Sequence, residues 1–143
     1  MTGEPEPPSG VLQVATMPKP RDVHYYKPTW MDRQFAKALK KLDAKQRQKC
    51  LQWLELLTKA LAVCTHPRND PRLASFDPSP YDRVIKVKDL YEYRKGNRVR
   101  AVACVRSEWA LLLTVTVSHD HERMQRLLQQ HRTEIATWRP RGA

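Results

Sequence analysis

Apolar positions along this chain change their spacing several times, and each change marks an element. From Thr29 to Leu42, the residues Met31, Phe35, Ala38, Leu39 and Leu42 recur at helical intervals and predict one buried stripe. Thr29 followed by Asp32 resembles a capping box at the start of that helix. Asp43 with Gln46 offers a second N-cap, and a longer helix is expected from Ala44 to about Cys64. Leu51, Leu54, Leu57 and Leu61 mark its core face, widened by Trp53 and Leu56. The two helices form an α-hairpin whose apolar side needs a sheet to cover it. Upstream, Val23-His24-Tyr25-Tyr26 is a short β-prone run ended by Pro28, suited to an edge strand. Thr65 to Tyr81 is rich in proline, asparagine and aspartate, which predicts a loop, pinned by Leu73 and Phe76.

From Asp82 to His121 the pattern becomes that of two or three successive antiparallel strands, with turns at Gly96-Asn97 and Ser107-Glu108. A three-residue loop, Lys95-Gly96-Asn97, pairs Arg94 with Arg98, Glu92 with Arg100 and Leu90 with Val102. It also gathers Tyr91, Tyr93, Val99, Ala101, Ala103 and Val105 on the opposite face. Because side chains alternate with period two, the register that sorts the faces should win. Glu92, Arg94, Arg98 and Arg100 are therefore expected together on one wet face. Trp109 to Val117 is apolar on both parities and reads as a central strand covered on both sides. Met124, Leu127, Leu128, His131, Ile135 and Trp138 fit a single C-terminal helix that Pro140 ends. The expected fold is α+β: an N-terminal strand and α-hairpin packed on a small antiparallel sheet, with a C-terminal helix.

Length and charge narrow the function. At 143 residues the chain is expected to hold a tail over residues 1–21 and one domain over residues 22–143. The tail carries five of the eleven prolines and cannot bury a core. Neither a secretory signal nor a transit peptide is readable there, and no stretch approaches the ~18 to 20 apolar residues of a membrane span. A cytoplasmic protein without a membrane partner is expected. Cys50, Cys64 and Cys104 are widely spaced among apolar residues and read as reduced core thiols. The formal net charge is +11, and residues 1–28 contribute nothing to it, with three basic and three acidic side chains. Such an excess implies a polyanionic partner, nucleic acid or an acidic protein.

The charge concentrates on the ribbon. Arg83 to Arg106 holds eight Lys or Arg against Asp89 and Glu92, a local charge of +6. Like charges side by side are unfavourable without a counter-ion, so an anionic ligand is the natural completion of that face. A solvated face with Glu92 paired to Arg100 is the plainer alternative. Ser118-His119-Asp120-His121 follows directly and brings imidazoles, which titrate near neutral pH, beside it. Those residues also suit the cap of the last helix. No third and fourth ligand stands near His119 and His121, so no metal and no cofactor are expected. The ribbon reads as a surface that binds or cleaves RNA.

The run DLYEYRKGNRVRAVACV, followed by an apolar strand and a short polar segment, resembles the core of the RelE/ParE superfamily of bacterial toxins. There an LYELR strand precedes a strand of the form (Y/V)R(V/L)(V/L)(Y/F). VHYYKPTWMDRQFAKALKKL is similar to the family's opening strand and first helix. The resemblance covers about residues 22 to 131 and is strongest from Asp89 to Val117. It implies a RelE-like fold and one half of a type II toxin–antitoxin pair, neutralised by an acidic antitoxin. A RelE-like or HigB-like member would be an mRNA interferase, cleaving messenger on the ribosome by 2′-OH attack without metal. A ParE-like member would inhibit DNA gyrase, and a non-catalytic relative would only dock on RNA. Such cleavage needs a base, a cation at the phosphate and an acid for the leaving oxygen. Carried across, Arg100 takes the scissile phosphate, Glu92 the base's place, and His119 or His121 the acid's. Arg94, Arg98 and Arg123 become RNA contacts, and Lys86 and Lys88 add electrostatic attraction. The family's Lys-rich or Tyr-containing ending is missing here.

Overall fold

The computed structural model of the chain describes residues 19–117 and 121–141. β1 (Asp22–Tyr25) leads into helices α1 (Arg33–Lys41) and α2 (Ala44–Val63), and a 3-10 helix covers Pro71–Phe76. Next come β2 (Ser79–Pro80), the single-turn α3 (Asp82–Ile85), β3 (Leu90–Lys95), β4 (Val99–Val105) and β5 (Trp109–Val117). α4 (His121–Gln130) and α5 (Arg132–Thr137) complete the described elements. The fold is α+β, with one sheet of five strands in the order β1-β5-β4-β3-β2. The sheet is mixed: β1 runs parallel to β5, while the other pairs are antiparallel. The expectation of an all-antiparallel sheet is corrected at that edge. No hairpin joins β1 to β5, so the long crossover leaves their relative direction free.

Side chains choose the elements as their chemistry requires. Asp32, rather than Thr29, caps α1, accepting from the Gln34 and Phe35 amides at 2.8 and 3.1 Å. Thr29 is buried instead and donates to the Leu113 carbonyl. Asp43 caps α2 through the Gln46 amide at 2.8 Å. The buried face of α2 is Cys50, Trp53, Leu54, Leu57 and Leu61, whereas Leu51 and Leu56 are 42% and 51% exposed. Apolar residues nearly encircle this helix, and contact with the sheet selects the arc. In the proline-rich loop Leu73 and Phe76 are indeed buried, within a 3-10 helix that Asp70 caps by accepting from the Arg72 amide while also accepting from Thr65. The ribbon begins later than its β-prone residues suggested. Asp82–Ile85 is helical, and Lys86 and Asp89, both left-handed at φ 62 and 65, swing the chain into β3. The expected single C-terminal helix divides at His131, whose imidazole and Glu134 both meet the Tyr26 hydroxyl.

Both faces of the sheet are covered. One meets α1 and α2 through Tyr93, Val99, Ala101, Ala103, Val105, Val115 and Val117. The other meets α3, α4 and α5 through Leu90, Val102, Cys104, Leu111 and Leu113. All nine residues of β5 are buried, as a strand apolar on both parities demands.

Candidate nucleic-acid interface

The loop between β3 and β4 is Gly96-Asn97-Arg98, one residue later than the turn chemistry suggested. Gly96 takes φ 57, a left-handed value, and the Arg98 amide reaches back to the Lys95 carbonyl at 3.3 Å. Arg94 therefore faces Arg100, Glu92 faces Val102 and Leu90 faces Cys104. The pairing differs by two residues from the expected one, and a shift of two preserves the face on which every side chain lies. Glu92, Arg94 and Arg100 thus share a face, with Tyr93, Val99 and Ala101 beneath. Arg98 moves to the exposed tip.

That face is not the open, wet surface expected. α4 and α5 cover much of it, and Glu92 is only 7% exposed. Arg100 has its Nη1 2.7 Å from Nδ1 of His121 and 3.6 Å from Oε2 of Glu92. A guanidinium only donates, so Nδ1 accepts and this imidazole carries its proton on Nε2. Arg94 donates to Oδ2 of Asp77 at 2.6 Å across the sheet's edge. Arg100 is paired along β5 with Thr116, and Thr114 lies two residues further on the same face. Tyr81 completes the surround: burial first, and then the Glu92 carboxylate, push its phenol up to about 12. At neutral pH it is a proton donor. Among the described residues, Nε of Arg94, Nε of Arg100 and Oγ1 of Thr114 are buried without a hydrogen-bond partner. Donors in such a setting bind phosphate oxygens more strongly than donors in water.

The other residues singled out from sequence lie elsewhere. Arg123 grips both carboxylate oxygens of Asp32 at 3.1 and 3.2 Å, tying α4 to the cap of α1. Lys86 and Lys88 are exposed at the far end of β3. The Lys88 carbonyl accepts from Cys104. Cys104 is four residues from Arg100, which is about 13 Å along a strand. His119 falls outside the described residues. The three cysteines are free and buried, and burial pushes each thiol up, away from the reactive thiolate.

Tyr81, Thr114 and Thr116 escaped the sequence reading. The two threonines did leave a signal, since polar residues two apart in an otherwise apolar strand mark one spot on one face. Tyr81 left none, because only the tertiary fold brings it to Glu92. Among the described residues no three His, Cys, Asp or Glu side chains are grouped to hold a metal, and no helix is long and apolar enough to cross a membrane. No protein family, curated protein or solved structure matches the chain.

Proposed function

We propose that this chain is a toxin of the RelE/ParE type and acts in the cytoplasm as a ribosome-dependent mRNA endonuclease. The observation that carries the reading is the Glu92–Arg100–His121 cluster, a carboxylate, a guanidinium and an imidazole joined at one point of a basic sheet. The RelE-like sequence run around Tyr91 and Arg100 supports it from the other side.

In this mechanism the scissile phosphodiester takes over the Arg100 donors now held by His121 and Glu92. Arg100 neutralises the charge that grows on the phosphoryl oxygens. Glu92, released from its ion pair, accepts the 2′-OH proton. His121, released from the guanidinium, collects a proton beside the anion and passes it to the leaving 5′-oxygen. Tyr81 and Arg94 supply further donors to the same oxygens. The products are a 2′,3′-cyclic phosphate and a 5′-hydroxyl. An acidic antitoxin is the expected partner, matched to the net charge of +11.

A second reading is favoured by the burial of Glu92 and its contact with Arg100. If that pair only supports the sheet, the chain is a ParE-like gyrase inhibitor or a non-catalytic RNA-binding relative. Purified chain added to translating ribosomes, with messenger 5′ ends mapped and gyrase supercoiling run in parallel, separates the two. Codon-linked cuts support the endonuclease. Gyrase-trapped breaks with intact messenger support the alternative.

A further inference from the structure

Behind the site, on the side of the sheet that meets α1 and α2, the β3–β4 tip and the first turns of α2 enclose a cavity of about 420 Å³. Its floor is apolar, made by Leu42, Cys50, Val99 and Val117, and its rim is cationic, made by Lys49, Lys95 and Arg98. No carboxylate lines it. None of the three cations belongs to an ion pair among the described residues. Gln46 and Asn97 add two side-chain amides at the margin. The volume falls within the ~300–1,000 Å³ usual for small-ligand sites.

We infer that this cavity holds one nucleotide of a single-stranded RNA, flanking the phosphate bound at Arg100. The inference rests on the RNA-binding reading above and extends it to a subsite. The floor covers the face of a base, the rim takes its phosphate, and the amides offer paired donor and acceptor groups to a base edge. A protein carboxylate would satisfy the rim and leave the floor uncovered. The hairpin register links the two places. Arg94 faces Arg100 and Lys95 faces Val99 in adjacent pairs, so neighbouring residues present their side chains to opposite faces of one ribbon. A strand passing over the tip at Arg98 leads from one site to the other.

The test is an amide-resolved NMR titration of the full chain with adenosine 5′-monophosphate, inorganic phosphate and an oligoglutamate peptide. The nucleotide should shift Cys50, Gly96, Asn97 and Val99 and bind about tenfold tighter than phosphate. A Lys95→Glu/Arg98→Glu variant should weaken it by about tenfold or more. Asn97→Ala, the milder change, should weaken it by about threefold. Phosphate or the peptide binding as tightly as the nucleotide, or shifts confined to the Arg94–Arg100 side, would overturn the subsite. If messenger is never cut while the nucleotide still binds here, only the endonuclease reading is lost. Cleavage without nucleotide binding removes the subsite alone.

Discussion

Where the sheet meets α1 and α2, Tyr93, Val99, Ala101, Ala103 and Val117 pack against Phe35, Leu57 and Leu61. Where it meets α4, the same strands present Glu92, Arg100, Thr114 and Thr116. Away from the cavity at the β3–β4 tip, the first face is closed with apolar side chains and contributes mainly to stability. On the second, charges are held in partly desolvated positions, each leaning on a neighbour. Burying a charge is costly without a partner, so polarity kept inside an otherwise sufficient sheet points to use rather than stability. The two faces should respond to mutation in opposite ways.

The largest effect should come from the closed face. Leu57 is fully buried, and Leu57→Ala should cost about 2–5 kcal/mol in urea or thermal unfolding while leaving activity per folded molecule unchanged. Arg100→Ala should do the reverse: cleavage should fall by about 10²–10³-fold, with the chain still folded by circular dichroism. Arg100→Lys should not restore it, since an ammonium lacks the planar fork of donors that a phosphate group meets. If Leu57→Ala instead abolished cleavage in the folded fraction, the division of labour between the faces would be broken.

Smaller effects sharpen the comparison at its margins. Asp32 both caps α1 and receives Arg123, so Asp32→Ala should cost about 1–2 kcal/mol. A double-mutant cycle with Arg123→Ala should show coupling of about 0.5–1 kcal/mol. Zero coupling would free Arg123 for an RNA contact.

The smallest effect is one of pH. The Thr65 amide and then the Arg72 amide, with the Arg72 guanidinium, hold the Asp70 carboxyl down at about 2 against an ordinary 3.8. A depressed value in the folded state means that this stabilisation is present above 3.8 and fades as pH falls toward 2. Asp70→Asn should flatten the melting temperature across that window. It should leave the Arg100 site untouched.

Much of this was legible in the chain because short-range chemistry decided it. WALLLTVTV could only be a strand covered on both sides, and Asp43 with Gln46 fixed the start of α2. The hairpin register was read two residues off, yet the face assignment survived, because period two tolerates an even slip. What failed was set by tertiary contact. Leu51 looked as apolar as Leu54, and only the position of the sheet exposes one and buries the other. Asp82–Ile85 is β-prone in composition but becomes helical where Ile85 packs beneath α4. Arg123 read as a free cation because its partner Asp32 lies 91 residues away. Of the site, Glu92, Arg100 and His121 were named from sequence, but not the helical cover that leaves Glu92 and Arg100 largely buried.

The most direct test is end-group analysis of messenger cut on ribosomes in the presence of a chelator. The account predicts 2′,3′-cyclic phosphate and 5′-hydroxyl ends, formed by the unaltered chain and lost in both Arg100→Ala and His121→Ala. Ends bearing a 5′-phosphate, or cuts of undiminished yield in Arg100→Ala, would contradict it.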